Sequence, residues 1–426
     1  MPQSSAKRRY LFLQGPHGPF ALRLARALAA EGHDVCRINF NGGDRVDWHG
    51  LPSVNFTGST KDWPVFLKNY MKDASVTDIV FYGYWRPMHH AAVAIARETG
   101  VRLHGLEEGL LRPNWITLSP LMPHEQADEL RQRLEAGGSV SPVLRETPPP
   151  CGDNHGWMLF YCFRYYLFYY LSTLTFRRYR SHREEFPLLD MCKWVWLSFF
   201  YPWRKREAHG RIVAVLRRKK PFYLLCLQLQ GDSQIRRYSS FKDMTQLMEL
   251  VMESFALNAP AGARLAVKSH PLDNNAKRHE ENCMAIAKRL GIAGRVDFIA
   301  YGKLAPLLKC ARGLVTVNSS AGFSALYHGC PVKNLGQAAY GVPGLVDEKP
   351  LAMFWQNPQR PDGALYAALQ NTLANTTQAA GGFYAREAID AAIASCLPRL
   401  MDRKAAPMTR EYNGGAALSG AALAAK

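Results

Sequence analysis

The chain has no Cys-x-x-Cys pair, although it carries nine cysteines. An odd number of scattered thiols offers neither a disulfide framework nor zinc-ligand spacing, so reduced thiols in a cytosolic protein are expected. Asp-x-Asp, the spacing that holds a divalent cation against a sugar diphosphate, is also missing, and no metal is expected. The loop after the first predicted strand is not Gly-x-Gly-x-x-Gly, which argues against a nicotinamide dinucleotide site. The first apolar run, residues 10–13, is too short for a signal-peptide core, so export is not expected. Acidic residues are scarce beside basic ones, 35 against 53, giving a formal charge of +18. Such a field suits nucleic acid, anionic lipid or an anionic substrate. Composition does not choose among them, but no recognisable RNA module is present, so no nucleic acid is expected as partner.

What is present suffices for two domains: 426 residues, 47% of them hydrophobic. Strand-like and helix-like stretches alternate in both halves, predicting an α/β fold. The first half opens with a strand at 10–13, the loop Gln14-Gly15-Pro16-His17, a helical stretch ending at Gly32, and a strand at 35–40 closed by Asn41-Gly-Gly-Asp44. This is the opening of a doubly wound domain. Its glycine loop can turn backbone N–H groups toward a sugar or phosphate, or simply be a tight turn. Later strands end before Arg86 and before Glu107-Glu108-Gly109, which leads to Arg112-Pro-Asn114. Adjacent carboxylates at a strand end are costly unless partnered or used. One can accept a proton while the other holds a basic neighbour; a structural ion pair with Arg86 or Arg112 explains them equally well.

Residues 146–153, with three prolines in a row, read as a linker. Residues 157–176 are about as long as a membrane span, but Arg164 interrupts them and tyrosines crowd them. Arg177, Arg178, Arg180 and Arg183 follow, and residues 193–206 interleave more aromatics with basic groups. That pattern suits helices lying in an anionic membrane surface. Packing of the aromatics between domains is the alternative.

In the second half, a buried strand at 221–227 leads to Asp232, flanked by Gln230, Gly231, Ser233 and Gln234, a set that resembles a sugar-binding rim. The strand at 265–267 delivers Lys268, Ser269 and His270 at its carboxyl end, where Pro271 stops it. The strand at 314–318 ends in Asn318-Ser319-Ser320-Ala-Gly322, at a predicted helix start. Lys268 and His270, expected on a neighbouring strand end, join Ser319 and Ser320 in one anion site. The expected domains are 1–145, a helical aromatic and basic segment at 146–213, a second domain at 214–404 with a closing helix, and a disordered tail at 405–426.

These stretches resemble the KpsS/LipB family of capsule polysaccharide biosynthesis proteins, retaining β-Kdo glycosyltransferases of Gram-negative bacteria. The likeness rests on FLQGPHGPF, RINFNGGD, EEGLLRPNWITL, LQLQGDSQIRRYSSF, VKSHPLD, VTVNSSAGFSALYHGCPVKNLG and GGFY, spread over both halves. Glu107-Glu108-Gly109, His270-Pro271 and Ser319-Ser320 are also similar to three motifs of bacterial sialyltransferases. The resemblance implies a GT-B architecture, two Rossmann-like domains facing across a cleft. It implies CMP-Kdo as donor, lysophosphatidylglycerol as acceptor, and a peripheral place on the inner face of the cytoplasmic membrane beside other capsule proteins. Lys268, His270, Pro271, Asn318, Ser319, Ser320, Gly322, Gln230 and Gln234 then bind the donor, with no cofactor. Asp232 is the expected nucleophile, Glu107 or Glu108 the base, and His270 a catalytic group that stabilises the charge on the leaving phosphate. Gln14, Gly15, His17, Arg86, Arg112 and Asn114 are expected on the acceptor or sugar side. A sialyltransferase-like activity and a non-catalytic assembly or export factor are the alternatives.

Overall fold

Tyr10 and Phe12 turn to one face of the first strand and Leu11 and Leu13 to the other, and each pair enters a different buried cluster. Period-two burial on both faces marks a central strand covered by helices on each side. The computed structural model describes residues 7–121, 125–126, 128–129, 131–132, 148, 152, 154–180, 201–229, 241, 243–270, 273 and 275–402. Its strands are β1 Arg9–Phe12, β2 Asp34–Asn39, β3 Ser53–Asn55, β4 Asp78–Tyr82, β5 Arg102–Glu108, β6 Trp115–Ser119, β7 Phe222–Cys226, β8 Arg264–Lys268, β9 Val296–Ile299, β10 Gly313–Thr316, β11 Val332–Asn334 and β12 Gln378–Ala380. The helices are α1 Phe20–Ala30, α2 Gly42–Val46, α3 Trp63–Asp73, α4 Pro87–Thr99, α5 Asn154–Leu171, α6 Tyr201–Arg217, α7 Met244–Asn258, α8 Ala276–Arg289, α9 Ala305–Leu308, α10 Ala321–Tyr327, α11 Leu351–Phe354, α12 Gly363–Thr376 and α13 Arg386–Met401.

The protein is mixed α/β with two largely parallel sheets. One has seven strands in the order β12-β6-β5-β4-β1-β2-β3, the other five in the order β11-β10-β7-β8-β9. In the first sheet the run from β5 to β3 is parallel, while β6 and β12 add an antiparallel flank. The second sheet is parallel throughout. Both contain the doubly wound order. Each reverses beside its first strand, between β1 and β4 in one sheet and between β7 and β10 in the other. Ligands of such sheets bind outside the carboxyl ends at that reversal.

The described residues form two units. The first holds those up to 121, those of 148–180 and those from 371 to 402; the second holds those of 125–132 and 201–370. This differs from the expected boundaries. The expected middle segment at 146–213 divides between the units, and the closing helix leaves the expected second domain at 214–404. β12 pairs with β6, and α13 buries Ile389, Ala392, Cys396 and Leu400 in the same cluster as Phe20 and Leu24 of α1. The hydroxyl of Tyr10 and the guanidinium of Arg8 both donate to the Leu400 carbonyl, at 2.9 and 2.6 Å, fixing the end of α13. The closing helix was expected from the sequence, but not the core that receives it.

Candidate functional site

At the carboxyl edge of the five-stranded sheet, β7 lies between β8 and β10. The sequence placed Lys268 and Ser319 on neighbouring strand ends. They are instead two strand spacings apart, roughly 10 Å. Gln228, just past β7, fills the interval. Its amide donates to Oδ1 of Asn318 at 2.9 Å, and its own carbonyl oxygen accepts from the Asn318 N–H at 3.2 Å. That reciprocal pair sets the β7 and β10 ends against each other.

Lys268 is the last residue of β8 and is buried; its Nζ donates to the Ser269 carbonyl at 2.8 Å. Burial pushes its pKa down to about 8. His270 follows and is half-buried. The turn behind it is built by Asp273. The Asp273 N–H donates to the His270 carbonyl at 3.0 Å, and Oδ2 accepts from Ser269 at 2.5 Å and meets Nδ1 of His279 at 2.7 Å. Burial alone would raise the Asp273 carboxyl, but hydrogen bonds from His279, Ser269 and Asn275 hold it below its usual range. Asp273 thus ties the His270 turn to α8.

Ser319 and Ser320 are half-buried at the start of α10. The Ser319 hydroxyl accepts from the Ala321 N–H at 3.2 Å, and its carbonyl accepts from Tyr340 at 2.7 Å. Gly322, expected to approach the donor, is required by packing, because a Cβ there would fall 2.0 Å from the Tyr340 ring. Pro271, Gln230, Gln234 and Asp232 lie outside the described residues.

In the first unit, Glu107 and Glu108 end β5 with alternate orientation. Oε1 of Glu107 accepts from the Tyr84 N–H at 3.3 Å. Oε1 of Glu108 accepts from the Tyr82 hydroxyl at 3.3 Å. The Arg86 guanidinium lies 5.3 Å from the centre of the Tyr82 ring. Glu108 is exposed at its surface, yet desolvation by neighbouring atoms raises its pKa, against the lowering effect of Arg112 and Tyr82. Arg112 thus acts on the Glu108 carboxylate through its charge, and Arg86 stands over the neighbouring Tyr82 ring. Asn114 serves the turn: it has φ +63°, and its carbonyl accepts from the Gly381 N–H at 2.8 Å.

Of the remaining expected acceptor residues, Gln14 and His17 are covered by α5. Gln14 is buried, its amide within 3.2 Å of Asp44 and 3.1 Å of the Tyr165 hydroxyl. His17 stacks on Tyr165 with ring centres 4.1 Å apart. Gly15 packs against α1, since a Cβ would fall 2.9 Å from that of Ala21. The second glycine loop is a saddle for the same helix. A Cβ on Gly42 would stand 2.3 Å from the Phe168 carbonyl, and one on Gly43 would stand 2.6 Å from the Tyr165 ring. The Gly42 N–H donates to Ser172 at 2.7 Å, and Arg164 pairs with Asp47. Gln14 and His17, two of the three predicted ligand residues, thus help to seat an aromatic helix, while Gly15 seats α1. Asn41, Asp44 and Asp47 were missed because their partners on α5, Tyr165 and Arg164, lie more than a hundred residues away. Asp273 was legible as the end of VKSHPLD, but its partner His279 was not.

The two doubly wound sheets, with Lys268, His270, Ser319 and Ser320 along the carboxyl edge of one and Glu107 and Glu108 at the end of β5 in the other, define a two-unit α/β protein with polar groups gathered at its strand ends. A family model described as capsule polysaccharide biosynthesis protein matches residues 77–384, and the chain belongs to that family. It is 30% identical over 384 residues to the capsule polysaccharide export protein KpsS of Escherichia coli, covering 88% of this chain and 97% of that one. It is 32% identical over 394 residues to the capsule polysaccharide modification protein LipB of Neisseria meningitidis serogroup A, covering 88% and 91%. Among solved structures, the β-Kdo 2,7 transferase of Thermosulfurimonas dismutans KpsC overlaps with a TM-score of 0.43 at 13% identity, covering 91% of this chain and 99% of that chain. The family resemblance read from the sequence is thereby met.

Proposed function

We propose that the protein is a retaining glycosyltransferase that moves Kdo from CMP-Kdo to a lysophosphatidylglycerol at the inner face of the cytoplasmic membrane, starting the glycolipid linker of a capsule. One observation carries the donor half: Gln228, Lys268, His270, Asn318, Ser319 and Ser320 share the carboxyl edge at the sheet reversal. A buried cation and an imidazole there would stabilise the phosphate charge that grows as CMP leaves. A monophosphate linkage does not require the cation clamp that a diphosphate uses. The sugar and the acceptor come from the sequence resemblance.

Retention calls for two displacements. A carboxylate oxygen attacks the anomeric carbon, and the bond to the CMP phosphate breaks with its electron pair leaving on the phosphate. The acceptor hydroxyl, losing its proton to a base, then displaces that carboxylate. Asp232 is assigned the first role from its sequence setting. Glu108 is favoured for the second, because a raised carboxyl pKa makes a stronger base. Glu107, held by the Tyr84 N–H, positions the pair.

The decisive experiment is incubation with CMP-Kdo and lysophosphatidylglycerol, followed by weighing of the lipid. One Kdo unit gained supports the proposal; CMP released only from another CMP-sugar makes it a sialyltransferase-like enzyme. No CMP release from any donor favours a non-catalytic export factor, a reading that the name of the E. coli relative keeps in view.

A further inference from the structure

We propose that the outward face of α5 is a docking surface for an anionic lipid bilayer, on which the helix lies parallel to the membrane plane. The inference deepens the lipid-acceptor reading, and its test is independent of sugar transfer.

α5 has two unlike faces. Tyr161, Tyr165 and Ser172 press against Gly18, Gly43 and Gly42, and Arg164 pairs with Asp47. These contacts fix the helix's rotation about its own axis. Phe160, Phe163, Leu167 and Leu171 then recur at intervals of three and four residues on the other side, Leu174 continues the row just past the helix end, and Trp157, stacked on Tyr161, flanks it at the start of the helix. All are exposed, Leu171 by 71% and Leu174 by 84%. Single exposed apolar residues are ordinary, but an aligned row of this size marks an interaction surface.

Charge selects the partner. Immediately after the row come Arg177, Arg178 and Arg180, all exposed, on a chain of net charge +18. A bilayer accepts both features at once: aromatic rings settle at the headgroup boundary, leucines below it, and guanidinium groups meet the lipid phosphates. A second copy docking through the same face would bring like charges together, which disfavours that pairing. Among the described residues no helix is long and apolar enough to cross a membrane. With Arg164 committed to Asp47, the helix is held flat against its own domain while its other side faces outward.

The test is flotation of the full-length protein with phosphatidylglycerol/phosphatidylcholine vesicles and with phosphatidylcholine vesicles alone. The wild type should float with the first and weakly with the second. The combined variant Phe160→Ser, Phe163→Ser, Leu167→Ser and Leu171→Ser should bind the anionic vesicles at least roughly tenfold more weakly, with unchanged circular dichroism. It should still transfer sugar to a detergent-dispersed acceptor if the proposed activity holds. Should that variant misfold, brominated lipid in the wild-type assay decides the matter: it should quench a fluorescence component that Trp157→Phe removes. Undiminished binding by a folded variant, no binding by the wild type, or absence of that quenching overturns the proposal. So does a wild-type dimer that the variant converts to monomer while vesicle binding persists, because the face would then be a self-contact.

Discussion

The Tyr82 hydroxyl donates to Oε1 of Glu108 across 3.3 Å, joining the ends of β4 and β5 beneath the Arg86 guanidinium. This hydrogen bond favours the charged carboxylate, while desolvation opposes it and prevails. Transfer should therefore rise with pH through an apparent pKa above 4.5, the ordinary Glu108 value. Glu108→Gln should lower turnover by about 10²–10⁴ and abolish that acid limb. Tyr82→Phe removes a lowering influence, so its limb should shift to higher pH. An acid limb that persists in Glu108→Gln would assign the base elsewhere.

Lys268 makes the opposite prediction. Burial brings its pKa to about 8, so it loses charge as pH rises through that value. The KM for the anionic donor should climb above pH 8 in the wild type and be high and flat in Lys268→Met. A wild-type KM that stays constant from about pH 7 to 9 would remove Lys268 from donor binding.

Asp273 is a positioning residue, since it holds the turn of His270 and touches no reacting atom. His270→Ala should cost on the order of 10²–10³ in rate without unfolding the protein. Asp273→Asn should reduce kcat more than it changes KM. In the His270→Ala background it should add little, because both changes act through one group. Additive losses in this double-mutant cycle would mean that Asp273 acts on the fold alone.

Asp78 lies fully buried at the start of β4, where Arg8, Arg102 and His104 converge on its carboxylate. Burial alone would raise its pKa, but hydrogen bonds from His104, Arg102 and Arg8 outweigh it and hold the carboxyl far below 3.8. Such a depressed group contributes stability above its unfolded pKa, lost as pH falls. Asp78→Asn should cost about 3–5 kcal/mol near neutrality, measured by urea unfolding, and the gap should narrow toward acid. Equal midpoints near neutral pH would refute the assignment.

Gly42→Ala tests the saddle. Its Cβ would fall 2.3 Å from the Phe168 carbonyl, so α5 must shift. A loss of about 1–3 kcal/mol is expected, together with weaker flotation on anionic vesicles. Gly32→Ala meets no atom within 4 Å but sits at φ +86°, so it should cost stability by backbone strain and leave flotation unchanged. Equal flotation of Gly42→Ala and wild type would show that α5 does not depend on this seat.

The sequence by itself determined β1, β2, β4, β5, β7, β8 and β10 and the polar groups at their carboxyl ends, but not β3, β6 or β12. Period-two burial and strand-ending residues are local properties, so β5 with Glu107 and Glu108, and β8 with Lys268 and His270, were legible. Tertiary structure decided what each group meets. Gln14, Gly15 and His17 read as a ligand loop, because a glycine-rich turn leaves room for whatever approaches. Only the fold shows that α5 takes that room beside Gln14 and His17, bringing Tyr165 from 151 positions along the chain to Gln14. The same holds for Gln228, inserted between the ends of β8 and β10, and for α13, carried back to β1. Residues distant in sequence become neighbours through the common core they bury, and local pattern carries no information about that choice.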